Sequence, residues 1–401
     1  MRETDCEHCY PERRNHFLNK IFNLIEYFIV YPFVTILSKT FLLSEQDFIN
    51  FNHLLHKLCI IVFQKIKLLC KTNVIERTQL NKTVLAYWDE GNNRRLELYN
   101  FKESRIHTPY FMLVLNSKKY YFIQTPISLI YQKINSFESD IKYDNKWTFK
   151  KKLLENRIPC PLGKMFISSR KAYNYGLSLG FPLTVKPVSE SLSIHVSCNI
   201  NTPSKLKEAI KIVKQIDCRV LVEQHIPGDV YRALILDNSL IACVRRQPGQ
   251  VIGNGVNTIQ ALIDRKKMGK NVLDYYTYFL KSQGISLDTI LSKGQQIFIS
   301  NKVTLSTGST ITDVTCCIHP ENREFLEQVH KILNIPLSGL DLICTNISQP
   351  WHQQPFGIIE NNSFPYIDLH LHTAAEKPIN VAGKIWDYVL NVLNQTKGSD
   401  L

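Results

Sequence analysis

The chain has 401 residues, 44% of them apolar and 21% charged, and a formal net charge of +13. This apolar share supports two or three domains with sizeable cores and excludes a disordered or low-complexity chain. The positive charge is spread without a long Lys/Arg block, which excludes a dedicated nucleic-acid arm and leaves anionic ligands or an anionic membrane surface as partners.

Eleven cysteines are present, among them the adjacent Cys316-Cys317 and, inside apolar runs, Cys59, Cys198, Cys243 and Cys344. Without an export signal they read as reduced, buried thiols of a cytoplasmic protein. Cys6-Glu7-His8-Cys9 is a lone C-x-x-C with no second pair at finger spacing, and is expected to be a mobile tail in preference to a metal site. From Ile21 to Leu43 the chain is dense in apolar residues, but Glu26 and Lys39 leave only Tyr27–Ser38 uncharged, with Pro32 inside. A spanning helix needs about 20 residues. From His53 to Leu69, Leu55, Leu58, Val62, Ile66 and Leu69 alternate with Lys57, Lys65 and Lys67 in an amphipathic helical pattern. Residues 21–69 are expected to pack on the rest of the chain; the competing reading is peripheral contact with the inner face of a membrane, lysines toward headgroups.

Beyond residue 80 the pattern becomes mixed. Thr83–Tyr87, Phe111–Leu115 and Tyr120–Gln124 read as strands, the last two joined by a hairpin turn at Asn116–Lys119. A basic helix is expected over Asn145–Glu155, and another from Ser168 or Ser169 to Gly180. Pro182–Pro187 is a short strand. Thr202-Pro203 opens a helix whose Leu206, Ala209, Ile210, Val213 and Ile216 share a face. Strands follow at Val220–Glu223, Arg232–Leu236 and Leu240–Val244, the last two turning at Asp237–Ser239. Asn257 is expected to cap a helix, and His319–Leu333 and Ile379–Leu393 complete a set of helices on antiparallel sheet. No internal repeat is visible.

Chemistry concentrates in a few places. Asp341, Glu360 and Asn362 stand within apolar runs, where a carboxylate is costly to bury unless something cationic pairs with it. Glu360 and Asn362, two apart on an extended strand, point to one face. Two carboxylates and an amide, without Cys or His, suit Mg²⁺ carrying nucleotide phosphates. Lys186 ends a buried strand and Lys146 opens a helix, so both ammonium groups can reach phosphate oxygens. Val222–Gly228 ends a strand with Glu223 and then a turn through Gln224, His225 and Ile226, offering backbone groups to an adenine edge. Arg245 and Arg246, before Pro248, suit a carboxylate or acyl phosphate. His370-Leu371-His372, beyond these, reads as a substrate-side or packing feature.

The order of these stretches resembles the ATP-grasp superfamily, and most closely the ATP-grasp module of cyanophycin synthetase-like ligases with their small stand-alone bacterial relatives. The resemblance covers residues 140 to 390. It implies an α+β ATP-grasp fold in which two α+β lobes clasp a nucleotide, preceded by a helical N-terminal region over 1–79 and a small α/β pre-domain over 80–139, with the ATP-grasp domain over 140–395. It further implies ATP phosphates on Lys146 and Lys186, an adenine hinge from Glu223 to Ile226, and Asp229 at the ribose. Two Mg²⁺, replaceable by Mn²⁺, would sit on Asp341, Glu360 and Asn362, with Arg245 or Arg246 on an acyl phosphate. The loop Ser189–His195, which in the family covers the phosphates and is glycine-rich, contains no glycine here. The implied function is ATP-dependent carboxylate-amine ligation of small amino-acid or peptide-like substrates, by a monomer or oligomer and without nucleic acid. The alternative is a non-catalytic nucleotide-binding scaffold. Polymer synthesis would call for a second ligase domain, for which 401 residues leave no room.

Overall fold

The computed structural model describes residues 7–9, 16–25, 69–103, 106–133, 142–189, 193–265, 272–373 and 378–395. Helix α1 (His16–Ile25) is the first long element; the expected helices of residues 26–68 lie outside the described residues. Among the described residues no helix is long and apolar enough to cross a membrane.

Strand β1 (Cys70–Thr72), helix α2 (Lys82–Asn93) and strands β2 (Glu97–Glu103), β3 (Ile106–Leu115) and β4 (Lys118–Ile123) come next, the strands forming an antiparallel sheet in chain order. Thr83–Tyr87, expected as a strand, is instead the first part of α2. The Asn81 side chain accepts from Val84 N and caps the helix, and Val84, Tyr87, Trp88 and Gly91 are buried at helical spacing. Asn116 and Ser117 take φ of 51° and 62°, the left-handed pair a tight two-residue hairpin needs.

After α3 (Ser128–Lys133) comes α4 (Lys146–Glu155), whose Phe149 and Leu153 are buried in the core of the second lobe, and then the chain builds a first lobe from β5 (Gly163–Phe166), α5 (Ser169–Leu179), β6 (Leu183–Pro187), β7 (Ser197–Ile200), α6 (Pro203–Val213) and β8 (Val220–Gln224). Its sheet runs β5-β8-β6-β7, all neighbours antiparallel. Asn145, Ser168 and Thr202 cap α4, α5 and α6, and Leu206, Ala209, Ile210 and Val213 of α6 seal the core against Val185 and Val222. Cys198, expected to be buried, is exposed, because β7 is an edge strand; Cys243 and Cys344 are buried, and Cys59 lies outside the described residues.

The second lobe starts with the hairpin β9 (Asp229–Leu236) and β10 (Ser239–Gln247). A small unit with its own core follows: β11 (Gln250–Ile252), α7 (Ile259–Asp264), α8 (Leu273–Lys281) and β12 (Gln296–Phe298). Thr258, one residue beyond the expected Asn257, caps α7 by accepting from Ala261 N. Then come β13 (Thr310–Asp313), α9 (Pro320–Leu333), β14 (Leu337–Cys344), β15 (Phe356–Asn362), α10 (Asp368–Leu371) and α11 (Val381–Gln395). The five-stranded antiparallel sheet of this lobe runs β13-β10-β9-β14-β15. Its core is continuous with that of the preceding segment: Tyr87 and Trp88 of α2, Phe111 and Phe122 of the first sheet, and Trp386 of α11 are buried together. The indole Nε1 of Trp386 donates to the Tyr87 carbonyl at 2.9 Å.

Candidate functional site

Antiparallel pairing of β6 and β8 sets Lys186 opposite Leu221 and Glu223 opposite Thr184, so Lys186 and Glu223 share a face. The Lys186 ammonium lies 2.7 Å from one oxygen of Glu223, and the other oxygen meets Lys150 Nζ at 2.8 Å. Lys150 projects from α4 one turn after Lys146 and also donates to the Pro161 carbonyl. All three are buried. Burial works against charge at this pair, yet Glu223 holds the Lys186 ammonium above the usual lysine value. Likewise burial raises the Glu223 carboxyl, but Lys186 and Lys150 bring it below the usual range. Lys150 went unnoticed in the sequence; its spacing of four from Lys146 on one helix was the available signal.

In the second lobe Asp341 stands opposite Arg232 on one side and Glu360 on the other. The Arg232 guanidinium holds both oxygens of Asp341, with Nη2 to Oδ2 at 2.9 Å, and Arg246 Nη1 reaches Oδ2 at 3.5 Å. Burial would raise this carboxyl, but the two arginines hold it below the ordinary range. Burial lowers the Arg246 guanidinium, an effect that Asp341 only partly offsets. The cationic partner of the buried Asp341 is therefore in the first place Arg232, which sequence reading missed although it interrupts the apolar run of β9. Gly339 makes room for it, since a Cβ there would stand 2.7 Å from Pro365 and 3.1 Å from Arg232 Nη1.

Helix α4 joins the two lobes: Lys146 Nζ stands 3.2 Å from Glu360 Oε1 of the second, while Lys150 reaches Glu223 of the first. Asn362 donates through Nδ2 to the Gly339 carbonyl at 3.3 Å, which turns its Oδ1 the other way. Asp144, just before Lys146, accepts from Ser363 N at 2.8 Å; burial, reinforced by nearby Glu360, pushes its carboxyl up to about 6. The assembled set of Lys146, Lys150, Lys186, Arg232 and Arg246 against Glu223, Asp341 and Glu360 has two more cations than anions. A surplus of positive charge held on buried, rigid strands and one helix is what a polyanion needs.

The paired arginines part company. Successive residues of β10 face opposite ways, so Arg246 joins Asp341 while Arg245 turns to Asp229, 3.7 Å away. Asp229 also accepts from Gln247 Nε2 at 3.2 Å. Between β8 and β9, Gln224 N donates to Leu162 O and His225 N to Pro182 O, fixing the segment that links the lobes. Gly228 ends it at φ 139°, where a Cβ would meet the Cys344 carbonyl at 2.4 Å. A pocket of about 340 Å³ opens beside this segment, lined by Gln224, His225, Ile226 and Pro227 together with Phe181 and Phe356. His370 is buried on α10, and neither ring nitrogen has a hydrogen-bond partner among the described residues. Burial, with Arg232 and Arg246 nearby, pushes it down to about 3, so it is neutral at physiological pH.

At the start of the loop after Lys186, Val188 N and Ser189 N both donate to Asp217 Oδ2 at 3.2 Å, and Arg219 binds Asp217 and Ser189. Ser193 and His195 then take φ of 57° and 53° without being glycine.

The carboxylates and Asn362 offer oxygen donors at the edge of this cluster. Each carboxylate oxygen has two lone-pair sites, so Asp341 Oδ1, which among the described residues accepts only from Arg232, retains one for a hard cation. Glu360 and Asn362 Oδ1 add two more donors, and the set fits Mg²⁺.

Residues 167–255 match the family model for the C-terminus of D-ala D-ala ligase. The chain is 31% identical over 221 residues to a cyanophycin synthetase of Trichormus variabilis, covering 52% of this chain and 24% of the relative. To the glutathione biosynthesis bifunctional protein of Clostridium perfringens it is 28% identical over 273 residues, covering 64% and 35%. The chain thus spans about a quarter to a third of the length of these relatives. A bifunctional glutathione synthetase from Pasteurella multocida superposes with a TM-score of 0.55 at 20% identity, over 77% of this chain and 43% of that one. With its two antiparallel lobes joined at Gln224–Gly228 and its lysines and carboxylates converging between them, the chain has the fold of ATP-grasp ligases, and residues 167–255 are similar in sequence to the C-terminal ATP-grasp domain of D-ala D-ala ligase.

Proposed function

We propose that this chain joins a carboxylate to an amine at the expense of ATP, through an acyl phosphate. The observation that carries the reading is the joining of the two lobes' charges through α4, which is packed in the second-lobe core and sends Lys146 to Glu360 of that lobe and Lys150 to Glu223 of the first. Phosphoryl transfer depends on positioning and charge neutralisation, and the cluster supplies both without a side-chain nucleophile. Lys146, Lys150 and Lys186 bind the ATP phosphates, and the Glu223–Ile226 segment flanks the adenine. Asp229, paired with Arg245, stands at the ribose end of that segment. Asp341, Glu360 and Asn362 would hold Mg²⁺, which would supply charge neutralisation at the phosphate oxygens. A substrate carboxylate oxygen attacks the γ-phosphorus and ADP leaves. An amine then attacks the acyl carbon, loses a proton, and inorganic phosphate departs with the C–O bond electrons. Arg246, poised over Asp341, faces the acyl phosphate, and the surplus positive charge of the cluster stabilises it.

The related cyanophycin and glutathione enzymes support an amino acid or peptide as carboxylate donor. Hydroxylamine in place of the amine tests the reading directly. With ATP, Mg²⁺ and a pool of amino acids and short peptides, an iron-staining hydroxamate is expected, and it should vanish without ATP. ATP binding with no hydroxamate from any pool would favour the second reading, a nucleotide-binding protein without turnover, for which the glycine-free loop at Ser193–His195 speaks.

A further inference from the structure

We propose that Cys9, His16 and His195 form a binding site for a borderline transition metal, with Zn²⁺ the best match, that fastens the N-terminal segment to the loop following Lys186. Cys9 is not in a loose tail: it is buried against Ile194 and Ile216. Its Sγ lies 3.1 Å from His16 Nε2 and 3.2 Å from His195 Nε2, and one ligand atom from each of the three residues falls within 4.8 Å of the others. Zinc bonds of 2.0–2.3 Å in a tetrahedron bring sulfur and nitrogen ligands to about 3.5 Å, so the two sulfur–nitrogen separations need open by only a few tenths of an ångström.

The surroundings of His195 are those of a ligand. Its Nδ1–H donates to the Ile212 carbonyl at 2.7 Å, so in the neutral ring Nε2 is the acceptor nitrogen, and it faces Cys9. Its backbone N–H donates to the His8 carbonyl at 3.1 Å, and Lys302 Nζ donates to that same oxygen at 3.1 Å. These bonds hold His195 in the left-handed backbone conformation, at φ 53°. A thiol and two imidazoles from three separate segments suit zinc, and one thiolate with two neutral imidazoles is a combination that hard cations do not favour. The C-x-x-C partner Cys6 lies outside the described residues.

The site does not depend on ATP turnover, and neither does its test. Full-length protein, stripped with a chelator and titrated with Co²⁺ alone, should bind one equivalent with visible d–d bands and a thiolate-to-cobalt charge-transfer band, and Zn²⁺ should displace it. His16→Gln, on the more accessible helix, should keep the charge-transfer band while weakening affinity about 10- to 100-fold. Cys9→Ser should abolish the band, with circular dichroism confirming that the variant is folded. Zn²⁺ should also raise the melting temperature of the wild type and not of Cys9→Ser. The inference is overturned if no tetrahedral Co²⁺ spectrum forms, or if the charge-transfer band persists unchanged in Cys9→Ser.

Discussion

Glu223 is a buried carboxylate shared by two lysines, and in the proposed function both ammonium groups also face the ATP phosphates. Lys186→Met should therefore weaken ATP by about tenfold or more and leave adenosine nearly unaffected, since a lost charge-assisted hydrogen bond is worth about 1.5–3 kcal/mol. Equal losses for both, measured by calorimetry, would make Lys186 a structural residue. Asp144 makes a prediction in pH. Its folded pKa of about 6 lies above the unfolded value, so its contribution is fully present in acid and is lost as pH rises through 6. Asp144→Asn keeps the acceptor for Ser363 N and removes the buried charge. It should stabilise the protein at pH 8 by about 1–2 kcal/mol, after allowance for screening, and give little at pH 4. A gain independent of pH in thermal melts would contradict this assignment. The sequence marked Glu223, Lys186 and Asp341 but missed Lys150, Arg232, Asp217 and Arg219. Lys150 was signalled only by its spacing from Lys146 on one helix, while Arg232, Asp217 and Arg219 act across strands or loops, where a linear reading carries no register.

At the scale of elements, the Asp341–Glu360 register of β14 and β15 brings the oxygen donors to one face of the sheet. Glu360→Gln should preserve the fold, because Glu360 is only half-buried and its ammonium partner retains a polar acceptor. It should lower the Mg²⁺-dependent part of ATP affinity by about tenfold or more; unchanged Mg²⁺ dependence would remove Glu360 from the metal set. Most elements were legible in the sequence because their punctuation is local. Asn145, Ser168 and Thr202 cap helices where expected, and Asn116-Ser117 turns the hairpin. The strand expected at Thr83–Tyr87 failed because five apolar and β-branched residues carry no period of their own, and the deciding Asn81 cap lies before them. Arg245 and Arg246 likewise read as equivalents, and strand alternation gave only Arg246 to the cluster.

For the whole molecule, the core of the second lobe continues into α2 and the first sheet, closed by Trp386 over Tyr87. Trp386→Ala should cost about 3–5 kcal/mol and lower the melting of the second lobe and the segment from residue 80 together; two separated transitions would show that they fold independently. The joint core was hidden from the sequence because its partners lie 299 residues apart. The ATP-grasp layout itself was visible, since the order of its motifs survives where pair distances do not. The central claim is that the two lobes close one cationic site over a nucleotide polyphosphate with Mg²⁺. Calorimetric titration of the full chain with ATP, in the presence of Mg²⁺ and again with a chelator, tests it most directly. One site with affinity at least about tenfold tighter in Mg²⁺ is the expected result. No ATP binding in either condition would contradict the account.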